Sequence, residues 1–285
     1  MPKIRPLVHT TDGMAATDGA GVRMRRMIGT QPLPMVDPFL MLDHFHSDNP
    51  GDYIAGFPAH PHRGFETVTY MVAGKMRHKD NKGHEGVIEP GGVQWMTAAG
   101  GIIHSEMPEQ DDGLMSGFQL WINLPRAEKM KPASYQEFDP SDIPVDARPE
   151  TGATARIVAG KTSRGVEGPV KKITVQPFFA EVTLEPGGVF EENLPAEHSA
   201  IMAVFAGTVL LPVTGQETPG SVAKGELGIL GEGDTTRIEA GPDGASLLLI
   251  AGKQLREPVA KGGPFVMNTE GEVRQAMADY QMGRF

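Results

Sequence analysis

The side chains best suited to chemistry lie in two short stretches of the N-terminal half. One stretch has His60 and His62 on either side of a proline, and the other has His104 and Glu106 on either side of a serine. Side chains of an extended strand alternate between its faces, so each pair shares one face. If the two strands face each other, three imidazoles and one carboxylate converge. That set suits a first-row divalent metal such as Fe(II), Mn(II), Ni(II) or Cu(II), and an octahedral ion would keep two positions open for substrate or oxygen.

Other histidines are weaker candidates for metal ligands. His44 and His46 repeat the spacing of the first pair and form a rival set, although the polar residues that follow favour a loop. His78 and His84 flank a predicted turn and need no ligand role. His198, in the second half, is interpreted as a structural or surface residue.

The composition predicts a β-rich protein without thiol chemistry. The chain has 285 residues, enough for two domains, and its 36 glycines and 24 prolines are typical of many short strands joined by tight turns. A net charge of −10 gives no support to a nucleic-acid or anionic-membrane surface. The absence of cysteine excludes disulfides, thiolate zinc sites and a cysteine nucleophile, so any metal has only nitrogen and oxygen ligands.

No targeting or membrane segment is recognisable in the sequence. The first residues lack an apolar stretch of signal-peptide length, and the longest apolar run, residues 245–251, is far too short to span a bilayer. We expect a cytoplasmic protein, without direct nucleic-acid or membrane binding, and a monomer.

The pattern of strands and turns repeats in the two halves of the chain. Glu-Pro-Gly-Gly-Val occurs at residues 89–93 and again at 185–189. Proline spacing marks residues 139–152 as a linker, so we predict an N-terminal metal-binding domain over residues 1–138 and a C-terminal domain over 153–285. Strands are predicted at 36–43, 67–72, 93–97, 116–124, 179–184 and 200–205. The capping pattern at 269–272 predicts an amphipathic helix at 270–282.

The context of the histidines resembles a known motif. Gly56 precedes the first pair, Gly74 closes the next strand and Gly101 stands three residues before His104, as in the two motifs of the cupin superfamily. Residues 36–43, 60–67, 100–108 and 263–285 together resemble the pirin family of bicupins. This resemblance implies an all-β fold of two tandem cupin (jelly-roll-like) β-barrel domains with a short C-terminal helix.

The resemblance also implies the metal ligands. They would be His60, His62, His104 and Glu106, and the metal would be one divalent ion, Fe(II) first, with Mn, Ni, Cu or Zn as alternatives. Glu106 would replace Glu66, the carboxylate of the general cupin motif, which becomes a structural carboxylate. Alignment of the second half on Gly207 provides no comparable ligand set, so the C-terminal cupin is expected to lack a metal.

Two functions remain open from the sequence. The resemblance implies a quercetin 2,3-dioxygenase-like oxidoreductase that takes a small flavonol-like aromatic substrate and O₂, with Glu106 as metal ligand and catalytic base. The alternative is a metal- or redox-dependent regulatory protein that binds a protein partner without turnover. A metal-free storage-type cupin would require all four candidate ligands to be structural.

Further residues are assigned around the predicted site. Arg63 should point away from the face of His60 and His62, either as a solvated side chain or as part of the basic recognition surface considered for this position in the family. The candidate pocket walls are Phe57, Phe65, Met71, Trp95 and Met107.

Overall fold

The computed structural model describes residues 2–285, which form β-strands and one α-helix, α1 (Glu270–Gln281). The strands are β1 (Leu7–Thr11), β2 (Met14–Asp18), β3 (Val22–Ile28), β4 (Phe39–Ser47), β5 (Phe57–His62), β6 (Phe65–Ala73), β7 (Met76–Asp80), β8 (Glu85–Ile88), β9 (Val93–Thr97), β10 (Ile102–Pro108), β11 (Met115–Asn123), β12 (Ser134–Phe138), β13 (Val145–Arg148), β14 (Ala153–Ala159), β15 (Phe178–Leu184), β16 (Val189–Asn193), β17 (His198–Leu211), β18 (Gly220–Ala223), β19 (Leu227–Leu230), β20 (Thr235–Lys253), β21 (Ala260–Gly262) and β22 (Phe265–Met267). The expected all-β fold with a short C-terminal helix is confirmed.

The chain divides into two compact units. Unit 1 combines the segment that ends at Gly13 with residues 141–254, and unit 2 combines residues 14–140 with 255–285. This grouping differs from the division expected from sequence, because β1 pairs with β19 of unit 1 and helix α1 packs on β21 and β22 of unit 2. The expected linker, residues 139–152, contains β13, which pairs with β14.

Unit 1 is built on one nine-stranded antiparallel sheet. Its strand order is β1-β19-β17-β20-β15-β14-β13, with β16 paired to β20 and β18 paired to β17. Alternate residues of the strands bury alanine, valine, leucine and phenylalanine side chains in one cluster. The buried guanidinium of Arg148 is compensated by Asp146 and Glu192, as a buried charge requires.

Unit 2 contains a seven-stranded and a four-stranded sheet. Their orders are β12-β9-β6-β11-β4-β3-β2 and β5-β10-β7-β8. Phe45 and Met71 of the larger sheet cluster with Met76 and Ile88 of the smaller one, so the two sheets pack against each other through apolar side chains. The smaller sheet carries all four predicted ligands on β5 and β10.

The C-terminal helix begins at the predicted cap. Thr269 accepts a hydrogen bond from the backbone N–H of Glu272 at 3.2 Å, which satisfies one of the unpaired donors of the first turn. Val273 and Ala276 are buried, whereas Met277 and Tyr280 are 39% and 38% exposed. Of the four residues expected to form the buried apolar face, the first two are therefore buried and the last two are partly exposed.

Two buried cations attach the C-terminal segment to the rest of unit 2. The ammonium of Lys129 donates to Gly64 O, Asn123 Oδ1 and Val266 O at 2.6, 2.6 and 3.0 Å. Arg63 donates to Gly100 O and to Asp279 Oδ2, both at 2.7 Å.

The expectation that Arg63 is solvated or part of a recognition surface is wrong. Its side chain is buried, and its guanidinium carbon lies 4.2 Å from the centre of the Phe285 ring. Arg63 directly follows β5, and the C-terminal segment covers its side chain through Asp279 and Phe285. This contact was not predictable from the sequence, because Arg63 and Asp279 are 216 positions apart.

Candidate metal centre

Strands β5 and β10 bring the predicted histidines together as neighbours in one sheet. They pair antiparallel, with His104 directly opposite His60 and Ile102 opposite His62. The two strands are therefore hydrogen-bonded side by side rather than facing each other across a barrel, as the sequence analysis assumed. Directly opposite and diagonal side chains on one face of a sheet are within contact distance.

The three imidazole rings form a compact cluster. Ring centres are 4.7 Å apart for His60 and His62, 4.4 Å for His60 and His104, and 5.1 Å for His62 and His104. One ligand nitrogen from each residue lies within 4.8 Å of the other two. Within residues 2–285 this is the one group of three or more potential ligand residues that meets this spacing.

The buried ring nitrogens fit a metal ion. Nδ1 of His62 and both ring nitrogens of His104 have no hydrogen-bond partner among the described residues, although both side chains are buried. Burial and the neighbouring His60 hold the pKa of His62 well below its usual value, and burial together with His62 does the same for the pKa of His104. Neutral imidazoles with free nitrogen atoms are the form that binds a metal.

Main-chain carbonyls orient two of the rings. Nδ1 of His60 lies 2.8 Å from Pro58 O, and the His62 ring has a hydrogen bond to the backbone of Pro264. A hydrogen bond at one ring nitrogen fixes the orientation of a ligand histidine and leaves the other nitrogen for the metal. Pro264 belongs to the C-terminal segment, so this segment takes part in the site.

Glu106 lies in the same cavity but outside the cluster of three histidines. Its carboxylate is buried, accepts a hydrogen bond from Thr69 Oγ1 at 2.8 Å and another from Gln119 Nε2 at 3.0 Å. Both partners are neutral, and no lysine, arginine or histidine of the described chain lies within ion-pair distance of it. Its negative charge is thus available to compensate a cation beside the histidines.

A bulge positions Glu106 relative to the histidines. The pairing of β5 with β10 shifts between His104 and Glu106, so that Glu106 lies opposite Phe57. Gly56, which precedes the bulge, has a φ of +58°, and a Cβ at this position would lie 2.8 Å from Glu106 O. Glycine is therefore required for this close approach of the two backbones.

A cavity of about 620 Å³ gives access to the centre. Its wall includes His60, His62 and Glu106, and it lies wholly within unit 2. The remaining lining residues are Asp18, Gly19, Ala20, Met24, Arg26, Met41, Asp43, Phe45, Phe57, Pro58, Gln119, Trp121, Lys261, Gly263 and Pro264. Aromatic and methionine side chains with a few polar groups are typical of a small-molecule site.

Of the five residues predicted as pocket walls, Phe57 lines the cavity. Phe65, Met71 and Trp95 are buried in the core, and Met107 is not part of the cavity wall. Trp121 and Gln119 were not predicted as wall residues, although the alternation of the predicted strand 116–124 places both on one face. Lys261 was not predicted either, because nothing in the sequence indicated that residues after 255 join this unit.

The rival histidines have other surroundings. His44 and His46 lie in β4 rather than in a loop; the ring of His44 stacks on Phe118 at 4.3 Å, and Nδ1 of His46 lies 3.0 Å from Ser116 Oγ. His198 is buried in unit 1, and neither of its ring nitrogens has a hydrogen-bond partner among the described residues.

Glu66 is a buried carboxylate outside the cavity wall. It accepts hydrogen bonds from Thr97 Oγ1 at 2.7 Å and from Trp95 Nε1 at 3.2 Å. Burial raises the pKa of Glu66 to about 7 even though these hydrogen bonds lower it. Its contacts agree with a structural carboxylate.

Replacing Glu66 with glutamine is expected to stabilise unit 2 increasingly as the pH rises from 5 to 8. The folded-state pKa lies above the value of about 4.3 in an unfolded chain, so the stability that Glu66 contributes at low pH is lost as the pH rises through 7. Glutamine does not ionise, so the variant should gain about 2 kcal/mol over the wild type across this interval. Urea unfolding of metal-free protein, followed by tryptophan fluorescence, measures this gain.

The fluorescence reports on the correct unit because both tryptophans of the chain, Trp95 and Trp121, belong to unit 2. Glu89→Gln, at an exposed position, is the control and should show no such gain. A stability difference for Glu66→Gln that stays constant from pH 5 to pH 8 would contradict the pKa assignment.

The two β-rich units and the histidine cluster define a bicupin with a candidate mononuclear metal centre. The sequence matches the models of the pirin domain over residues 21–122 and of the pirin C-terminal cupin domain over residues 179–285. The chain belongs to the pirin family.

Relatives and solved structures agree with this assignment. A pirin-like protein of Caulobacter vibrioides is 50% identical over 99% of both chains, and a Pseudomonas aeruginosa protein named as a proposed quercetin 2,3-dioxygenase is 47% identical over 99% of both. The crystal structure of a quercetin 2,3-dioxygenase from Acinetobacter baumannii matches with a TM-score of 0.88 at 30% identity, covering 99% of this chain and 98% of that one. The expected pirin resemblance and the two cupin domains are confirmed.

Proposed function

We propose that this protein is a metal-dependent oxidoreductase of the quercetin 2,3-dioxygenase type. His60, His62, His104 and Glu106 would hold one divalent ion, with Fe(II) as the first candidate and Mn, Ni, Cu or Zn as alternatives. The observation that carries the proposal is the cluster of three imidazoles, two of them buried with ring nitrogens that have no partner in the described chain, beside a buried carboxylate that has no ionic partner. The nitrogen and oxygen donors of this site suit a first-row divalent metal.

Glu106 is the carboxylate of the cavity that suits this role. Asp18 and Asp43 also line the cavity, but both are paired with Arg26. Glu106 has only a hydroxyl and an amide as partners, so its charge remains available to a metal or to a substrate proton. Thr69 and Gln119 hold the carboxylate in the cavity and thereby set its position relative to the histidines.

The chain supplies binding, exclusion of water and a base. When bound, the metal would supply the coordination positions at which a hydroxy-ketone substrate and O₂ meet. Phe45, Phe57 and Trp121 provide apolar walls against which flat aromatic rings can pack. Glu106 would accept the proton of the substrate hydroxyl, and the names of the relatives suggest a flavonol as that substrate.

Oxygen consumption with quercetin tests the proposal. Protein reconstituted anaerobically with Fe(II), Mn(II), Ni(II) or Cu(II) should bind about one ion per chain. With at least one of these metals it should consume O₂ in the presence of quercetin and release one carbon monoxide per O₂. His46→Ala is the control variant, since its ring lies outside the cluster and contacts Ser116.

One ion per chain without oxygen uptake for any metal would overturn the dioxygenase proposal. The alternative would then be a regulatory protein, for which partner binding that depends on the Fe(II)/Fe(III) state is the corresponding measurement. Within residues 2–285 no helix is long and apolar enough to cross a bilayer. The cytoplasmic location and the monomeric state remain predictions.

A further inference from the structure

Two cationic side chains line the cavity, and their surroundings differ. Arg26 is paired with two carboxylates: its Nε and Nη2 donate to both carboxylate oxygens of Asp43 at 2.8 and 2.7 Å, and Nη2 also lies 3.0 Å from Asp18 Oδ2. This guanidinium is part of a compensated cluster and has little capacity left for a ligand. Its role in the wall is therefore structural.

Lys261 forms no close ion pair of this kind, although the charges of Asp43 and Asp18 attract its ammonium and that of Arg26 repels it. No Asp or Glu oxygen of the described chain lies within 4.0 Å of its ammonium, which instead lies 5.1 Å from the centre of the Trp121 ring. The residue is exposed overall and lines the cavity, and partial burial of its ammonium lowers the pKa of Lys261. Among the two cations of the cavity wall, Lys261 is the one that can pair with an anion entering from solvent.

Trp121 links this ammonium to the metal centre. Its ring centre lies 5.2 Å from that of His62, and the two rings meet edge to face. The same indole thus contacts a candidate metal ligand on one side and the ammonium on another. A flat aromatic molecule that packs on Trp121 would reach towards the histidines with one end and towards Lys261 with the other.

The position of Lys261 is set by structured backbone. It is the central residue of β21 and pairs with Val266 of β22, while Val266 O is held by the buried Lys129. Its neighbour Ala260 is buried, and Gly263 and Pro264 after it also line the cavity. The ammonium is thus presented by a hairpin whose backbone is attached to the core.

We propose that Lys261 and Trp121 form a subsite for an ionised acidic group carried by an aromatic substrate at the end remote from the metal. The expected substrates are therefore aromatic anions whose carboxylate, sulfonate or phenolate group faces Lys261. The identity of the metal-facing end rests on the function proposed above, whereas the anion subsite rests on Lys261 and Trp121 alone.

Calorimetric titration with two related ligands tests the subsite. Protein loaded with Zn(II), which is not redox-active, is titrated with quercetin and with quercetin 5′-sulfonate in the absence of O₂, which prevents turnover. The wild type should bind the sulfonate more tightly than quercetin, and the ratio of the two Kd values measures this preference. Lys261→Gln should reduce the ratio by about fivefold, because one partly exposed ion pair contributes about 1 kcal/mol. Lys261→Arg should keep the preference, as should the control Lys131→Gln at an exposed position outside the cavity.

The outcomes separate the two proposals. A Kd ratio that is the same in the wild type and in Lys261→Gln overturns the subsite, and so does failure of both ligands to bind. Oxygen uptake by the Fe(II)-loaded wild type is measured in parallel. Uptake together with an unchanged ratio would leave the oxidoreductase function standing and remove the subsite. A Kd ratio that depends on Lys261, without oxygen uptake, would leave the subsite standing and remove the oxidoreductase function.

Discussion

Replacing His104 with alanine is expected to lower the affinity for Fe(II) by roughly 100-fold or more, since loss of a direct ligand costs at least as much as the 10–100-fold typical of its supporting contacts. Metal content after gel filtration, measured by elemental analysis, should fall from about one ion per chain to less than about a tenth. His104 is central to the cluster because its ring contacts both other rings and neither of its nitrogens has another partner in the described chain.

Unfolding of the same variant separates ligation from ordinary packing. In the wild type, free metal at a thousand times its Kd should stabilise unit 2 by about 4 kcal/mol, and the roughly 100-fold weaker binding of His104→Ala should reduce this increment to about 1.4 kcal/mol or less at the same metal concentration. The matched control is His198→Ala, which removes another buried histidine whose two ring nitrogens lack partners but which lies outside the cluster. Retention of wild-type metal content by His104→Ala would overturn the ligand assignment.

Replacing Lys129 with methionine is expected to destabilise unit 2 by about 3–5 kcal/mol. The change removes an ammonium that donates to Gly64 O, Asn123 Oδ1 and Val266 O, and leaves three buried acceptors without their donor. Burial lowers the pKa of Lys129 to about 8, so at pH 7 the wild-type side chain carries its charge into the interior. Methionine has a similar length, which limits the loss of packing.

Urea unfolding followed by tryptophan fluorescence at pH 7 measures this effect in unit 2. Lys131→Met is the matched control, because Lys131 lies two residues away, is exposed and pairs with Glu128 on the surface. A surface ion pair of this kind contributes less than about 1 kcal/mol. Equal free energies of unfolding for Lys129→Met and Lys131→Met would contradict the prediction, because the three buried hydrogen bonds would then not stabilise the C-terminal segment.

The local part of the site could be predicted from the sequence, because it depends on the alternation of single strands. Spacing alone placed His60 and His62 on one face, and glycine-rich turns located the strands around them. Which strands pair with each other could not be predicted from the residue spacing. Convergence of the ligands was expected if the two ligand strands faced each other, whereas β5 and β10 are adjacent, with His104 beside His60.

The distant part of the site was not predictable, since its contacts join segments far apart in the chain. Helix α1 begins at the expected cap because capping is a local interaction. The burial of Arg63 and the contribution of Lys261 to the cavity both depend on where the C-terminal segment docks. Tertiary packing determines where this segment docks, and the local patterns that predict strands and turns contain no information about it.

The contact between Arg63 and Asp279 has a consequence for the order of events during protein synthesis. The two residues are separated by 216 positions, so a ribosome working at roughly 5–20 residues per second needs roughly 10–40 s to deliver the carboxylate after the arginine has emerged. From the synthesis of His104 until that of residues 261–264, the three histidines exist without the Pro264 carbonyl and without Lys261. The finished centre, with its full set of supporting contacts, therefore arises only after residues 264–279 have been synthesised.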